Sequence, residues 1–258
     1  MDIKDIIQPE NLVFSKTKNL VDTTLSFCPG CGHGVIHRLL MEVIEEMDIT
    51  EQTIGVAPVG CSVLAYDFMD IDMQGAAHGR ASAVATGIKR VFPDKFVFSY
   101  QGDGDLAAIG TGEIVHVSNR GENICVIFVN NGIYGMTGGQ MAPTTLAGMR
   151  ASTSPYGRDV ATQGHPIKMT ELLAQLPGVA YATRQAVHKP ALVRKTKKAI
   201  LKAFQYQREK RGTTIIEIVT NCNSGWKMDP VHANEWLDEN MLAFYKLGDI
   251  KDIGIQEP

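Results

Sequence analysis

Three observations predict an α/β fold with a doubly wound, mostly parallel sheet. Strand-like and helix-like segments alternate along the chain, which places helices over both faces of a parallel sheet. Two segments, residues 95–101 (KFVFSYQ) and 123–130 (NICVIFVN), are apolar and rich in aromatic or β-branched residues, as buried strands are. The residues best able to do chemistry follow strand ends, where ligands sit in such sheets.

Taken in order, residues 1–26 have mixed polarity and little periodicity, and are expected to form an N-terminal arm lying on a neighbouring surface. Residues 27–34 (FCPGCGHG) form a Cys-x-x-Cys turn. Behind it Val35, Ile36, Leu39, Leu40, Val43, Ile44 and Met47 recur at helical spacing. Residues 53–57 read as a short buried strand that exits into Pro58-Val59-Gly60-Cys61-Ser62. Residues 75–87 (GAAHGRASAVATG) read as a helix of small residues, able to pack closely on a sheet or a cofactor, with His78 and Arg80 its large polar groups. After the strand at 95–101 come a Gly-Asp-Gly turn, a helix over 106–118 and the strand at 123–130. The loop from 131 to about 168 is far longer than usual connections, which marks it as functional or partner-bound. A helix at 170–176, a strand near 180–183, a helix from 189 to about 208 and a strand at 213–220 follow. Asn221-Cys222-Asn223 leaves that last strand, and residues 227–258 read as a polar tail. The expected organisation is an arm (1–26), one ligand-binding domain (27–226) and a tail (227–258).

Composition bounds the function. At 258 residues and 44% hydrophobic content, the chain is long enough for one globular domain with appendages. A formal charge of −3 makes no case for nucleic acid or an anionic membrane. No apolar run reaches the ~20 residues of a membrane span and no signal-peptide core is present, so a cytoplasmic location is expected. Five cysteines without an export signal point to metal or redox chemistry rather than structural disulfides.

The stretch 102–140 carries the most specific signal. Asp103 leaves its strand between Gly102 and Gly104, which allow a sharp turn and close approach to a ligand. The helix that follows turns its N-terminus, with free N–H groups, toward the same point, a favourable place for phosphate. The next parallel strand delivers Asn131 beside Asp103, so a carboxylate and an amide oxygen can share a hard cation such as Mg²⁺. A Gly-rich turn in an ordinary sheet explains Gly-Asp-Gly alone. It does not explain that turn followed, after residues 105–129, by Asn130-Asn131. Cys28, Cys31, Cys61 and Cys222 lie in turns or strand exits and are available as ligands, the number a tetrahedral zinc or a four-iron cluster requires, against the plainer reading of a CxxC turn with unrelated buried cysteines. Cys125, inside the strand at 123–130, reads as a core thiol.

The Gly-Asp-Gly and Asn-Asn spacing resembles the diphosphate–Mg²⁺ motif of thiamine-diphosphate enzymes. FCPGCGHG, PVGCS, HGRA, GDGDLAAIGTGE, NNGIYGMTGGQMAPT and NCNSGW also occur in the order found in beta subunits of 2-oxoacid:ferredoxin oxidoreductases, over residues 27–226. The resemblance implies the diphosphate-domain type of fold. It implies that Asp103, Asn131 and the main-chain oxygen of Ile133 hold Mg²⁺, and that Cys28, Cys31, Cys61 and Cys222 hold a [4Fe–4S] cluster. Gly60, Cys61, Ser62, His78, Gly102, Asp103, Gly104, Asp105, Asn131, Ile133, Tyr134, Gly135 and Thr137 are the expected cofactor contacts. His78 and Arg80 are the candidate catalytic residues, against the plainer reading of a helix-surface pair facing another subunit.

The implied activity is oxidative decarboxylation of a 2-oxoacid with coenzyme A, yielding an acyl-CoA and reduced ferredoxin. The alternative is a non-redox thiamine-diphosphate decarboxylase or carboligase. Gly138 stands where some 2-oxoglutarate-specific relatives carry Lys, which slightly favours 3-methyl-2-oxobutanoate over 2-oxoglutarate. An alpha subunit is expected to supply a pyrimidine-binding domain with the activating Glu. Gamma and ferredoxin-like subunits, or an external ferredoxin, are expected to take the electrons.

Overall fold

Four parallel strands at the middle of one sheet position everything that follows. In the computed structural model, which describes residues 8, 11, 12 and 14–255, a seven-stranded sheet runs in the order β2-β1-β3-β4-β8-β7-β9. Its strands are β1 (Thr53–Ala57), β2 (Asp72–Gly75), β3 (Phe96–Gly102), β4 (Cys125–Asn130), β7 (Val179–Ala186), β8 (Thr213–Val219) and β9 (Gly248–Asp252). All neighbours pair parallel except β9, which runs antiparallel to β7. A separate two-stranded hairpin joins β5 (Ile133–Tyr134) to β6 (Gln140–Met141).

The period-two geometry of β4 shows why its sequence is apolar throughout. Cys125, Ile127 and Val129 pack on one face, against α1 (His33–Glu46) and α6 (Pro190–Arg208). Val126 and Phe128 pack on the other, against α2 (Ala81–Val91), α3 (Thr111–Arg120) and α5 (Met169–Ala174). Alternate residues of a strand face opposite ways, so a strand covered on both sides needs no polar face. Helices on both faces of a mostly parallel sheet make the fold doubly wound α/β.

Three expected segments take a different form. The helix expected over 75–87 is instead the edge strand β2, a turn and α2. Gly79 sets the break at φ +77°, a conformation few residues with a Cβ adopt. The helix expected over 106–118 is a five-residue π turn (Asp105–Ile109) followed by α3. The interruption at Gly110 is a close-packing requirement: a Cβ there would lie 2.6 Å from the Asp105 carbonyl oxygen and 2.9 Å from that of Gly79. The polar tail is folded. Pro230–Trp236 forms α8, capped by Asp229, whose carboxylate accepts from the backbone N–H of Val231 and His232. β9 then closes the sheet edge. Together with the long loop, the tail builds a third core in which Ile133, Met149, Val219, Leu237, Met241 and Tyr245 pack.

The described part of the N-terminal arm lies on the chain's own surface. Thr17 and Asn19 are buried, Asn19 accepts from the Asp70 N–H, and Leu20 bridges to Met69. The remainder of that segment falls outside the described residues. Among the described residues, no helix is long and apolar enough to cross a membrane.

Candidate active site

The exits of β1, β3, β4 and β8, adjacent in the sheet, carry Cys61, Asp103, Asn131 and Cys222. A cleft at this edge is lined by all the expected cofactor contacts: Gly60, Cys61, Ser62, His78, Gly102, Asp103, Gly104, Asp105, Asn131, Ile133, Tyr134, Gly135 and Thr137. His33, Val59 and Met136 also line it. Arg80 does not. Its guanidinium pairs with Glu113 at 2.5 Å and donates to the Ile109 carbonyl, facing away from the cleft lining.

Asp103 is buried and fully engaged. Its Oδ1 accepts from the Gly104 N–H at 2.9 Å, and its Oδ2 accepts from the Gly132 N–H at 2.7 Å and the Thr144 hydroxyl at 2.6 Å. Burial pushes its carboxyl up to about 6, and the three donors only partly offset that. A bound cation would relieve the same cost. Asn131 accepts from the Ile133 N–H through Oδ1 at 3.2 Å, and its carbonyl accepts from the Trp226 indole at 3.0 Å. Thr137 donates to the Gln140 side chain, which shapes the Gly-rich hairpin turn.

Residues outside the expected set hold this loop. Asn130, the first of the Asn pair, accepts from the Gly132 N–H and donates to buried Glu217 at 2.7 Å. Glu217 also accepts from Thr170 and, at 2.8 Å, from buried Arg184. Tyr245, on the segment expected to be a tail, donates to the Thr144 carbonyl at 2.7 Å. Only the Asp229-Pro230 helix-start signature in the sequence hints that this segment folds back.

The thiols stand behind Gly135. A Cβ on that glycine would lie 3.1 Å from the Cys222 Sγ and 3.7 Å from the Cys61 Sγ. The CPGC turn is stitched to the β8 exit, with Asn223 donating to the Pro29 carbonyl at 3.0 Å and Asn221 to the Gly30 carbonyl at 3.2 Å. Gly30 has φ +90°, and a Cβ there would strike Pro230. Burial raises the Cys61 thiol to about 11, and neighbouring Cys31 and Cys28 add to the shift. Burial raises Cys222 to about 12, with Cys61, Asp103 and Cys28 contributing. Cys31 is raised by burial and by Cys28. Cys61 is therefore within electrostatic reach of each of the other three thiols. Among the described residues, no three His, Cys, Asp or Glu side chains are drawn to the spacing of a single metal ion. Cys125 is buried in β4.

Residues 58–218 match the family of thiamine pyrophosphate enzymes, C-terminal TPP binding domain. The 2-oxoglutarate synthase subunit KorB of Methanocaldococcus jannaschii is 37% identical over 233 residues, covering 88% of this chain and 82% of KorB. The chain belongs to the beta subunits of the 2-oxoacid:ferredoxin oxidoreductases. Within this family, the ketoisovalerate oxidoreductase subunit VorA of Methanothermobacter thermautotrophicus is 41% identical over 254 residues, 98% of this chain and 53% of VorA. The chain thus spans about half the length of VorA. A solved 2-oxoglutarate:ferredoxin oxidoreductase from Magnetococcus marinus shares the fold, with a TM-score of 0.77 at 24% identity over 95% of this chain and 87% of that one. The beta-subunit family accounts for the Gly-Asp-Gly turn and the Asn-Asn loop as parts of a thiamine pyrophosphate domain.

Proposed function

We propose that this chain is the cofactor-binding subunit of an enzyme that oxidatively decarboxylates a 2-oxoacid, with coenzyme A as acyl acceptor and ferredoxin as electron acceptor. The observation that carries the reading is the meeting of two donor sets at one sheet edge. Oxygen donors come from Asp103 and Asn131, and two thiols, Cys61 and Cys222, flank Gly135 beside them.

The donor chemistry fits the groups. Asp103, Asn131 and the main-chain oxygen of Ile133 would hold Mg²⁺, a hard cation that prefers oxygen and shares phosphate ligands. The N–H groups of residues 135–140 and the Thr137 hydroxyl would hold the diphosphate. Cys28, Cys31, Cys61 and Cys222 would hold a [4Fe–4S] cluster, which spreads four thiolates over four irons rather than around one ion. Gly135 is the cradle between the two groups, where a side chain would intrude on the thiols. Bound thiamine diphosphate supplies the carbon chemistry of decarboxylation, and the cluster supplies a one-electron acceptor.

The cleft that this chain forms alone measures about 50 Å³, well below the roughly 300 Å³ at which ligand pockets begin. Exposed Val59 and Met136 line it. Both features suit an alpha subunit that closes over the mouth and brings the activating Glu. Among the described residues no Lys or Arg lines the cleft, and a Cβ at Gly138 would meet only the Gln140 side chain, at 4.0 Å. A branched aliphatic acid such as 3-methyl-2-oxobutanoate suits that lining better than 2-oxoglutarate, in keeping with the name of the VorA relative.

The test is viologen reduction by the co-purified complex, with coenzyme A and a panel of 2-oxoacids. The expected result is highest kcat/KM with 3-methyl-2-oxobutanoate. Decarboxylation without dye reduction would replace this reading with the non-redox one.

A further inference from the structure

The functional reading above leaves Asp105 as a cofactor contact, and the hydrogen bonds around it give this residue another task. The Asp105 carboxylate is 2% exposed. Its Oδ1 lies 2.7 Å from His78 Nδ1 and accepts from the Gly79 N–H, and its Oδ2 accepts from the Gln101 side-chain amide at 2.6 Å. The Gln101 side chain is held in turn by the Ser82 hydroxyl, 2.8 Å from its Oε1, and its NH₂ faces Asp105 because a carboxylate takes only donors. Gln101 and Ser82 are both fully buried.

A backbone N–H and a glutamine NH₂ can only donate. Both Asp105 oxygens are therefore acceptors, and the third partner, His78, must bring its proton on Nδ1. Deepening the reading above, we infer that Asp105 is a positioning residue rather than a cofactor ligand, holding His78 as the Nδ1–H tautomer so that its bare Nε2 serves the cleft as an acceptor.

His78 lines the cleft, and Nε2 has no hydrogen-bond partner among the described residues. The turn beneath the ring is fixed, since Gly79 at φ +77° packs on the backbone of Ile109 and Gly110. The ring is thus held by its backbone on one side and by a buried carboxylate on the other, as orienting groups hold a base in other active sites. In this tautomer His78 accepts a hydrogen bond from an O–H, N–H or S–H of a ligand, and at neutral charge donates none into the cleft. Arg80, turned to Glu113, does not share the role.

The experiment uses the full chain labelled with ¹⁵N-histidine, at a pH where the imidazole is neutral, with the His78 signals identified from a His78→Gln sample. Wild type should show a protonated Nδ1 and a bare Nε2. In Asp105→Ala the ring should revert to Nε2–H, and turnover of the complex should fall on the order of a hundredfold, the low end of general acid–base effects. Mg²⁺–thiamine diphosphate affinity, measured calorimetrically, should be unchanged. Asp105→Asn should keep the wild-type tautomer, because its Oδ1 can accept from Gly79 and His78 while the Gln101 amide reverses. Should Asp105→Ala not fold, the wild-type and Asp105→Asn spectra decide. Nε2–H in wild type overturns the inference, and so does loss of cofactor affinity in Asp105→Ala with the tautomer retained. A wild-type chain in its complex that shows the stated tautomer but binds no thiamine diphosphate sinks the functional reading and leaves the histidine assignment standing.

Discussion

At the Asp103 end of the cleft the chain supplies its own geometry. Three donors fix the carboxylate, Asn130 and Glu217 brace the loop, and Tyr245 holds Thr144 from behind. At the cysteine end, thiols raised to about 11 and 12 are protonated at neutral pH, and Cys28 is exposed. One end is preorganised by folding. The other, on the reading proposed above, is completed only when a metal replaces protons, because thiolates rather than thiols bind metal. An oxygen-donor site can thus be held ready by hydrogen bonds before its ligand arrives, whereas the proposed thiolate site draws its cohesion from the group it binds.

The largest expected effect breaks the cysteine end. Cys61→Ala and Cys222→Ala should each remove about four irons per copy of this chain from the anaerobically purified complex, leaving only the iron of other subunits, since a cluster ligand is lost outright. Cys125→Ala should keep wild-type iron, and its cost should appear in thermal stability as the loss of one buried group. Equal iron loss in all three would show that the wrong thiols were assigned.

Next comes the anchor itself. Asp103→Ala should weaken Mg²⁺–thiamine diphosphate binding more than about a hundredfold, beyond the roughly 10–100-fold typical of losing an outer-shell partner, while iron content persists. Titration calorimetry on the complex reads this directly, and unchanged affinity would remove Asp103 from the metal site.

The pH dependence sharpens the same comparison. The Asp103 carboxyl, raised by burial to about 6 in the metal-free chain, binds a proton in competition with Mg²⁺. Cofactor affinity should therefore fall as pH drops through 6, by about tenfold per unit. The stability sign is opposite. With a folded value above the ordinary 3.8, the metal-free chain draws stability from this group below pH 3.8 and loses it as pH rises through about 6. Affinity that is flat between pH 5 and 7 would mean another group carries the metal.

The smallest effect concerns support. Thr144→Val removes one of the three donors to Asp103 and should weaken cofactor binding roughly tenfold, with little change in the unfolding midpoint. An effect as large as that of Asp103→Ala would make Thr144 a ligand rather than a brace.

The sequence showed the doubly wound sheet because β3, β4 and β8 are rich in aromatic and β-branched residues and are buried on both faces, a pattern with few other uses. The placing of Asp103 and Asn131 at one sheet edge was legible because their spacing is set by strand and helix lengths. Edge strands β2 (DMQG) and β9 (GDIKD) were not, since exposed strands carry polar residues that mimic loops. The π turn at Asp105 was hidden as well. It depends on Gly110 meeting Gly79, a contact across more than thirty residues of chain. Glu217, Tyr245 and the partnership of Asp105 with His78 required tertiary structure for the same reason.

One sheet edge is proposed to hold both a diphosphate anchor and an iron–sulfur site. The composition of the anaerobically purified complex tests this, with thiamine diphosphate, iron and acid-labile sulfide measured on one sample. About one thiamine diphosphate with about four irons and four sulfides is expected for each copy of this chain, after subtracting clusters carried by other subunits. Thiamine diphosphate accompanied by zinc, or by no iron assignable to this chain, would contradict it.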